Sequence, residues 1–386
     1  MEEADATASA VLMYDEGDQE NNEEENGKYF DSYEDLEVHR VMLEDEPRVT
    51  AYKDAILKNK EYIKDKVIMD VGCGTGILSI FCAQAGAKKV YAVEASNVAN
   101  LAREIVAQNE FQDVIEVLHS KVEDVVLPDH IKVDAIVSEW MGFFLLHEGM
   151  LDSVIAARDK FLKPDGKMFP ESAVIYVAPC SIPKLHKNWD NFEDIDMSPF
   201  AKCLRKEKQI KPDIMTIEKE DLMGQEEALC WVNLTEDKVT DLDSYSLQHV
   251  VGANKEGHFQ GLCLWFECNF PNGEILDTSP RSKATHWQQT VIVLSSGMTV
   301  DEGEPLAFKL DMTRDKLNPR RYNIVVEIQD YEIVDHPVPC SCYMTRCILM
   351  KKLMTSHEEH ARENNEEQQN LDDQRRMSIG TDDDRQ

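Results

Sequence analysis

The chain has 386 residues, 42% of them hydrophobic, and a formal net charge of −33. No apolar run reaches the roughly 18 residues that a membrane helix needs, and the N-terminal MEEADATASA lacks the basic and apolar regions of a signal peptide. Residues 1–27 carry ten acids and no Lys or Arg, and residues 355–386 ten acids against four Arg, which leaves −17 on the body between them. A body that acidic repels polyphosphate, so nucleic acid is not expected as a partner and basic protein segments are. Ten scattered cysteines without a repeating framework read as reduced thiols of an intracellular protein, in the nucleus or the cytoplasm.

Residues 1–27 are acidic, Asn-rich and poor in apolar side chains, and are expected to lack structure. Order is expected from Tyr29-Phe30, and Leu36 to Leu57 has helical spacing broken at Pro47. From Val67 the chain alternates short apolar runs with helical stretches. Strands are expected at Val67–Val71, Val90–Glu94, Val114–Leu118 and Val133–Ser138, with helices through Ala85 and from Val98 to Asn109. That alternation predicts a parallel, Rossmann-like sheet in residues 28–170. After Pro170 the texture changes to strand-like runs without long helices between them, such as Ala173–Val177, Leu262–Phe266, Thr290–Leu294 and Tyr322–Val326. Residues 171–354 are therefore expected to form an antiparallel β-barrel or sandwich. A polar insertion at 180–206 carries Trp189, Phe192 and Phe200, and the polar tail 355–386 is expected to be unstructured.

Asp70-Val71-Gly72-Cys73-Gly74-Thr75-Gly76 follows a strand and opens a helix. Glycines there let the backbone turn tightly and approach a ligand. The spacing Gly-x-Gly-x-Gly is one residue shorter than the dinucleotide fingerprint, and Asp70 ends the strand before it. This is the pattern of S-adenosylmethionine methyltransferases, whose cofactor has no pyrophosphate and carries positive groups. Glu94 ends the next strand, where a carboxylate can accept ribose hydroxyls, and Val122-Glu123 stand where an adenine amino group would be read.

Ser138 to Met150 follows the strand Val133–Val137, at the end of a parallel sheet where ligands bind. Glu139 and Glu148 flank an aromatic, apolar loop. Two such carboxylates repel unless a cation lies between them, and a planar guanidinium with forked donors answers both. A glycosidase dyad would leave the glycine loop without a purpose.

Together these residues resemble the protein arginine N-methyltransferases, from about Tyr29 to Ile333. The Glu139–Glu148 segment is similar to the family's double-glutamate loop, Thr285-His286-Trp287 to its Thr-His-Trp loop, Tyr29 to Tyr33 to its cofactor lid, and Leu162–Gly166 to its later strand-turn motif. The resemblance implies methyl transfer from S-adenosylmethionine to protein arginine, leaving S-adenosylhomocysteine, with monomethyl and asymmetric dimethylarginine as products. It implies that Arg48 pairs with the cofactor carboxylate and that His39 and Met42 lie over the cofactor. Asp70 and Gly72 would contact its methionine part, Glu94 the ribose, and Val122 and Glu123 the adenine. Glu139 and Glu148 would clamp the guanidinium, His286 paired with Asp45 would help remove the proton, and Tyr33, Met150 and Trp287 would line the acceptor pocket. The insertion would be a dimerisation arm of a ring-like homodimer. Phe143, Gly149 and Arg40-Val41 depart from the family's usual Tyr, Ser and acidic pair.

Two other readings compete: a methyltransferase for a small amine or guanidine, and a non-catalytic scaffold for basic partners. A large β domain suits a protein acceptor, and a scaffold has no need of two acids in one pocket. Cys340, Cys342 and Cys347 are close together, but the β-like run shows no matching His or further Cys, so no metal is expected. Cys73 beside the cofactor loop suggests a redox role, and Arg375-Arg376-Met377-Ser378 resembles a kinase site.

Overall fold

The computed structural model describes residues 9–12, 33–183, 185, 189–209 and 211–357. Two helices open the main body, α1 (Leu36–Glu44) and α2 (Glu46–Lys58). The break falls at Asp45, which ends α1 and caps α2 by accepting the Arg48 N–H at 3.1 Å. Pro47 sits in the first turn of α2, where its missing N–H costs nothing.

A five-stranded parallel sheet follows, built from β2 (Val67–Val71), β3 (Lys89–Glu94), β4 (Ile115–His119), β5 (Val133–Val137) and β6 (Leu162–Phe169), in the order β4-β3-β2-β5-β6. Helices α3 (Ile77–Gln84), α4 (Val98–Gln108) and α5 (Leu151–Phe161) are the connections. The strands β2 and β5 are buried along almost their whole length, as expected of a sheet covered on both faces. The chain runs outward from β2 to β3 and β4, then returns to place β5 on the other side of β2. The β2–β5 junction is thus a topological switch point, and the loops beyond the carboxyl ends of these strands face one crevice.

β7 (Ser172–Cys180) begins the second half and pairs antiparallel with β11 (Gly257–Asn269) and β9 (Glu227–Asn233). The sheet continues through β13 (Gln289–Val300) to β8 (Asp213–Met215), with β12 (Ile275–Asp277) alongside β11. The second antiparallel sheet is β10 (Ser244–Gly252), β14 (Pro305–Arg314) and β15 (Tyr322–Ile328), completed by β1 (Ser9–Leu12). One apolar core runs from the parallel sheet into both antiparallel sheets, through residues such as Tyr52, Phe266, Phe270 and Trp287.

The expected two-part architecture is present. Within 1–27, expected to be unstructured, residues 9–12 instead pair with β15, Ser9 opposite Glu327 and Leu12 opposite Ile324. That pairing covers an edge strand which would otherwise expose its backbone donors and acceptors. At the other end, residues 345–357 are helical, extending into the segment expected to be unstructured from 355. The remainder of both tails, the lid residues 29–32 and Ser378 lie outside the described residues. The insertion after Cys180 carries a short turn, Trp189–Asn191, and helix α6 (Ser198–Lys208).

Candidate active site

A cavity of about 610 Å³ lies over the switch point. Tyr33, His39, Met42, Arg48, Gly72, Glu94, Val122, Glu123, Glu139, Glu148, Met150, His286 and Trp287 all line it. Residues far apart in the sequence thus converge, from α1 and α2, the ends of β2, β3 and β5, and the loop before β13. Asp45 and Asp70 stand behind this surface.

The glycine loop is held by Glu94. Its Oε2 accepts the Gly74 N–H at 2.9 Å and its Oε1 the Ser96 N–H at 2.8 Å. Gly72 has φ +69°, and a Cβ there would stand 2.2 Å from Met150 Cε. The left-handed backbone favours glycine here, and a side chain would also have to displace the end of Met150. Asp70 is fully buried, and its Oδ2 accepts from Ser79 Oγ at 2.7 Å. Burial raises its carboxyl to about 7 against the Ser79 hydrogen bonds that lower it. Asp70, expected to contact the cofactor, supports α3 from beneath the glycine loop through its bond with Ser79.

The loop after β5 is tightly folded. Gly142 and Leu145 exchange backbone hydrogen bonds at 3.0 Å, and a Cβ on Gly142 would meet the His147 carbonyl at 2.1 Å. Phe144, Leu145 and Glu148 all have positive φ, a concentration of strained backbone in the loop that presents the two acids. Ser138 Oγ donates to the Val71 carbonyl at 2.7 Å, tying this loop to the end of β2. His147 inside the loop is desolvated, which lowers its pKa to about 4 and keeps the ring neutral.

The acids have different neighbours. Glu139 Oε2 accepts from Arg48 Nε at 2.9 Å and from Nη2 at 2.7 Å, and both side chains are 9% exposed. Arg48 also donates to the Met42 carbonyl at 2.9 Å. Arg48, expected to pair with the cofactor carboxylate, forms a buried ion pair with Glu139 and also lines the cavity. Glu148 accepts from the Tyr33 hydroxyl at 2.6 Å. Its backbone is gripped by Arg320, whose carbonyl accepts the Glu148 N–H at 2.8 Å and whose Nη1 donates to the Glu148 carbonyl. Arg320 lines the cavity too. Sequence reasoning passed over it, since an Arg-Arg pair in a polar turn reads as surface charge.

His286 Nδ1 lies 2.6 Å from Asp45 Oδ2, which also accepts the His286 backbone N–H at 2.9 Å. Burial pushes the Asp45 carboxyl up, but the His286 and Arg48 hydrogen bonds together bring it below the usual carboxylate value. Trp287 is buried and donates from Nε1 to the Met141 carbonyl at 2.9 Å, which fastens the β domain to the double-acid loop. Glu123 accepts from Ser153 Oγ at 2.6 Å, and His39 Nε2 is 2.8 Å from the Tyr33 carbonyl. Cys73 is buried, and desolvation raises its thiol well above the ordinary value, which disfavours a reactive thiolate.

The cavity fits S-adenosylmethionine: bare glycine backbone at a helix start and a carboxylate at the end of β3. Residues 171–333 match the arginine methyltransferase oligomerization subdomain, and residues 50–169 match the ribosomal protein L11 methyltransferase family. The probable protein arginine N-methyltransferase 1.2 of Arabidopsis thaliana is 40% identical over 305 residues, which cover 77% of this chain and 81% of that protein. Human protein arginine N-methyltransferase 2 is 38% identical, over 78% of this chain and 71% of that one. The chain belongs to the protein arginine N-methyltransferase family. It is an S-adenosylmethionine-dependent enzyme that methylates arginine in proteins. Among solved structures, the Trypanosoma brucei PRMT1 enzyme–prozyme heterotetrameric complex with AdoHcy superposes with a TM-score of 0.70 at 38% identity, over 79% of this chain and 98% of that one. Arabidopsis thaliana protein arginine methyltransferase 10 gives 0.70 at 32% identity, over 80% of this chain and 97% of that one. The oligomerization subdomain makes the enzyme an oligomer-forming one. No described helix is long and apolar enough to cross a membrane.

Proposed function

We propose that this methyltransferase converts arginine to monomethyl and then asymmetric dimethylarginine in flexible basic segments, such as Gly/Arg-rich stretches and histone tails. The observation that carries this reading is the convergence of Glu139 and Glu148 on the cavity that the glycine loop also lines. S-adenosylmethionine supplies an electrophilic methyl group. The chain's own task is to hold a guanidinium, a delocalised and weak nucleophile, in line with it. Carboxylates at two edges can draw positive charge away from the attacking nitrogen and stabilise it as it grows. Arg48 restrains Glu139 and Tyr33 restrains Glu148, so neither acid pays to be oriented when the acceptor arrives. His286 would help take the departing proton, a reading supported by its contact with Asp45. Met42 and Met150, the residues that resemble the asymmetric branch, both line the cavity.

The acidic body favours basic acceptors over polyphosphate. The homodimer reading is supported by the arm, where Trp189 packs on Phe192 and Phe200 while those two rings stay nearly half exposed. Among the described residues none of the ten cysteines forms a disulfide, in keeping with work in the nucleus or cytoplasm.

The test is mass spectrometry of histone and Gly/Arg-rich peptides incubated with the enzyme and S-adenosylmethionine. Asymmetric dimethylarginine that disappears with Glu148→Gln is the expected result. Full-rate methylation by Glu148→Gln, or only symmetric product, would overturn it. Light scattering of Phe192→Asp and Phe200→Asp, against a dimeric wild type, tests the arm.

A further inference from the structure

Beyond β15 and beyond the family match, the chain folds back on itself and brings four soft ligands together. His336, Cys340, Cys342 and Cys347 each direct one ligand atom into a space where all four lie within 4.8 Å of one another. His336 Nδ1 is 3.5 Å from Cys340 Sγ, 3.4 Å from Cys342 Sγ and 3.2 Å from Cys347 Sγ. The three cysteines are buried.

We propose that these residues form a structural zinc site of the Cys3His class. Zinc–sulfur bonds of about 2.3 Å and zinc–nitrogen bonds of about 2.0 Å set tetrahedrally place nitrogen about 3.5 Å from each sulfur. The three sulfur–nitrogen distances match that figure. A disulfide would join two of the sulfurs and leave the third thiol and the imidazole without a reason to converge. The imidazole is also held as a metal-bound histidine is: its Nε2 lies 2.8 Å from the Tyr331 carbonyl. Donation to that carbonyl places the ring proton on Nε2 and turns the Nδ1 lone pair to the sulfurs. Three thiolates and zinc sum to one negative charge, and Arg346 stands beside them, donating to the same Tyr331 carbonyl at 3.1 Å.

The site closes a clasp. Cys340, Cys342 and Cys347 straddle Ser341 and Tyr343, which hold this segment to the β domain. Gly252 N–H donates to Ser341 Oγ at 2.9 Å, and Tyr343 N–H donates to the Gly303 carbonyl at 2.7 Å. Gly252 has to lack a side chain, since a Cβ would stand 2.6 Å from the Ser341 carbonyl. The helix 345–357 starts within the clasp, and Cys347 lies in its first turn. Four ligands leave no open position, so the metal is structural rather than catalytic.

The experiment is elemental analysis of the full-length enzyme, expressed with added zinc and dialysed against metal-free buffer. About one zinc per chain is expected, falling to a small fraction in Cys342→Ser and His336→Ala but unchanged in Cys203→Ser on the exposed arm. Replacement by cobalt in the wild-type chain should give the intense visible bands of tetrahedral thiolate ligation, a reading that needs no variant to fold. Metal-free wild-type protein, a disulfide mapped among residues 340–347, or zinc retained by both ligand variants would each overturn the assignment.

Discussion

Asp45 Oδ2 receives two N–H groups of His286, one from the ring and one from the backbone, at 2.6 and 2.9 Å. One carboxylate therefore sets both the position of the imidazole and its tautomer, leaving Nε2 as the basic nitrogen. Asp45→Asn should lower kcat by about 100-fold, within the usual range for a positioned acid–base group. The folded carboxyl titrates below its ordinary value. Its stabilisation is therefore present above the unfolded pKa of about 3.9 and lost as pH falls through the folded value. Urea midpoints of wild type and Asp45→Asn should differ at pH 7 and converge below about pH 4.

Asp70 has the opposite sign. Its folded pKa of about 7 exceeds the unfolded value, so the folded state holds the extra proton between the two. Stability falls as pH rises across that window. Asp70→Asn should melt higher than wild type at pH 8, with the difference vanishing near pH 4. Thermal melts across this range check it.

Glu139 and Glu148 should separate when each is made Gln. Glu139→Gln leaves Arg48 buried without its carboxylate, and such a loss typically costs about 3–5 kcal/mol. Glu148→Gln keeps the side chain's shape beside Tyr33 but removes the charge that would face the guanidinium, and should abolish most turnover. Denaturant unfolding beside steady-state kinetics tells the two apart.

Gly142→Ala should uncouple acceptor from cofactor. A Cβ 2.1 Å from a backbone carbonyl cannot be relieved by a side-chain rotation, so the double-acid loop must open. Cofactor binding by calorimetry should stay within about threefold, since the glycine loop is untouched, while kcat falls by about 100-fold as acceptor geometry is lost.

Four strands of the parallel sheet were legible because each is a short apolar run closed by a turn signal, and the cofactor loop because glycines at 72, 74 and 76 have few other uses; β6, with Pro164, Asp165 and Gly166 inside it, has no such run. The pairing of Arg48 with Glu139 was not, since an arginine at 48 and an acid at 139 meet only through packing of α2 on the β5 loop. Arg320 was hidden for a similar reason: it grips the Glu148 backbone, and backbone contacts leave no residue-type signature. His336 escaped notice because it lies four residues before the first cysteine of a run that reads as β-like. Strand β1 was invisible, as a four-residue apolar stretch inside an acidic tail says nothing about a distant edge to which it could add.

The hydrogen bond from Trp287 to Met141 joins the two halves of the molecule at the acceptor pocket. Neither half lines the cavity alone: Glu139 and Glu148 come from one, and Trp287 and His286 from the other. A chimera that exchanged whole domains between relatives would therefore inherit its chemistry from the fit at this seam rather than from either parent, and specificity would be tuned by changing both sides together.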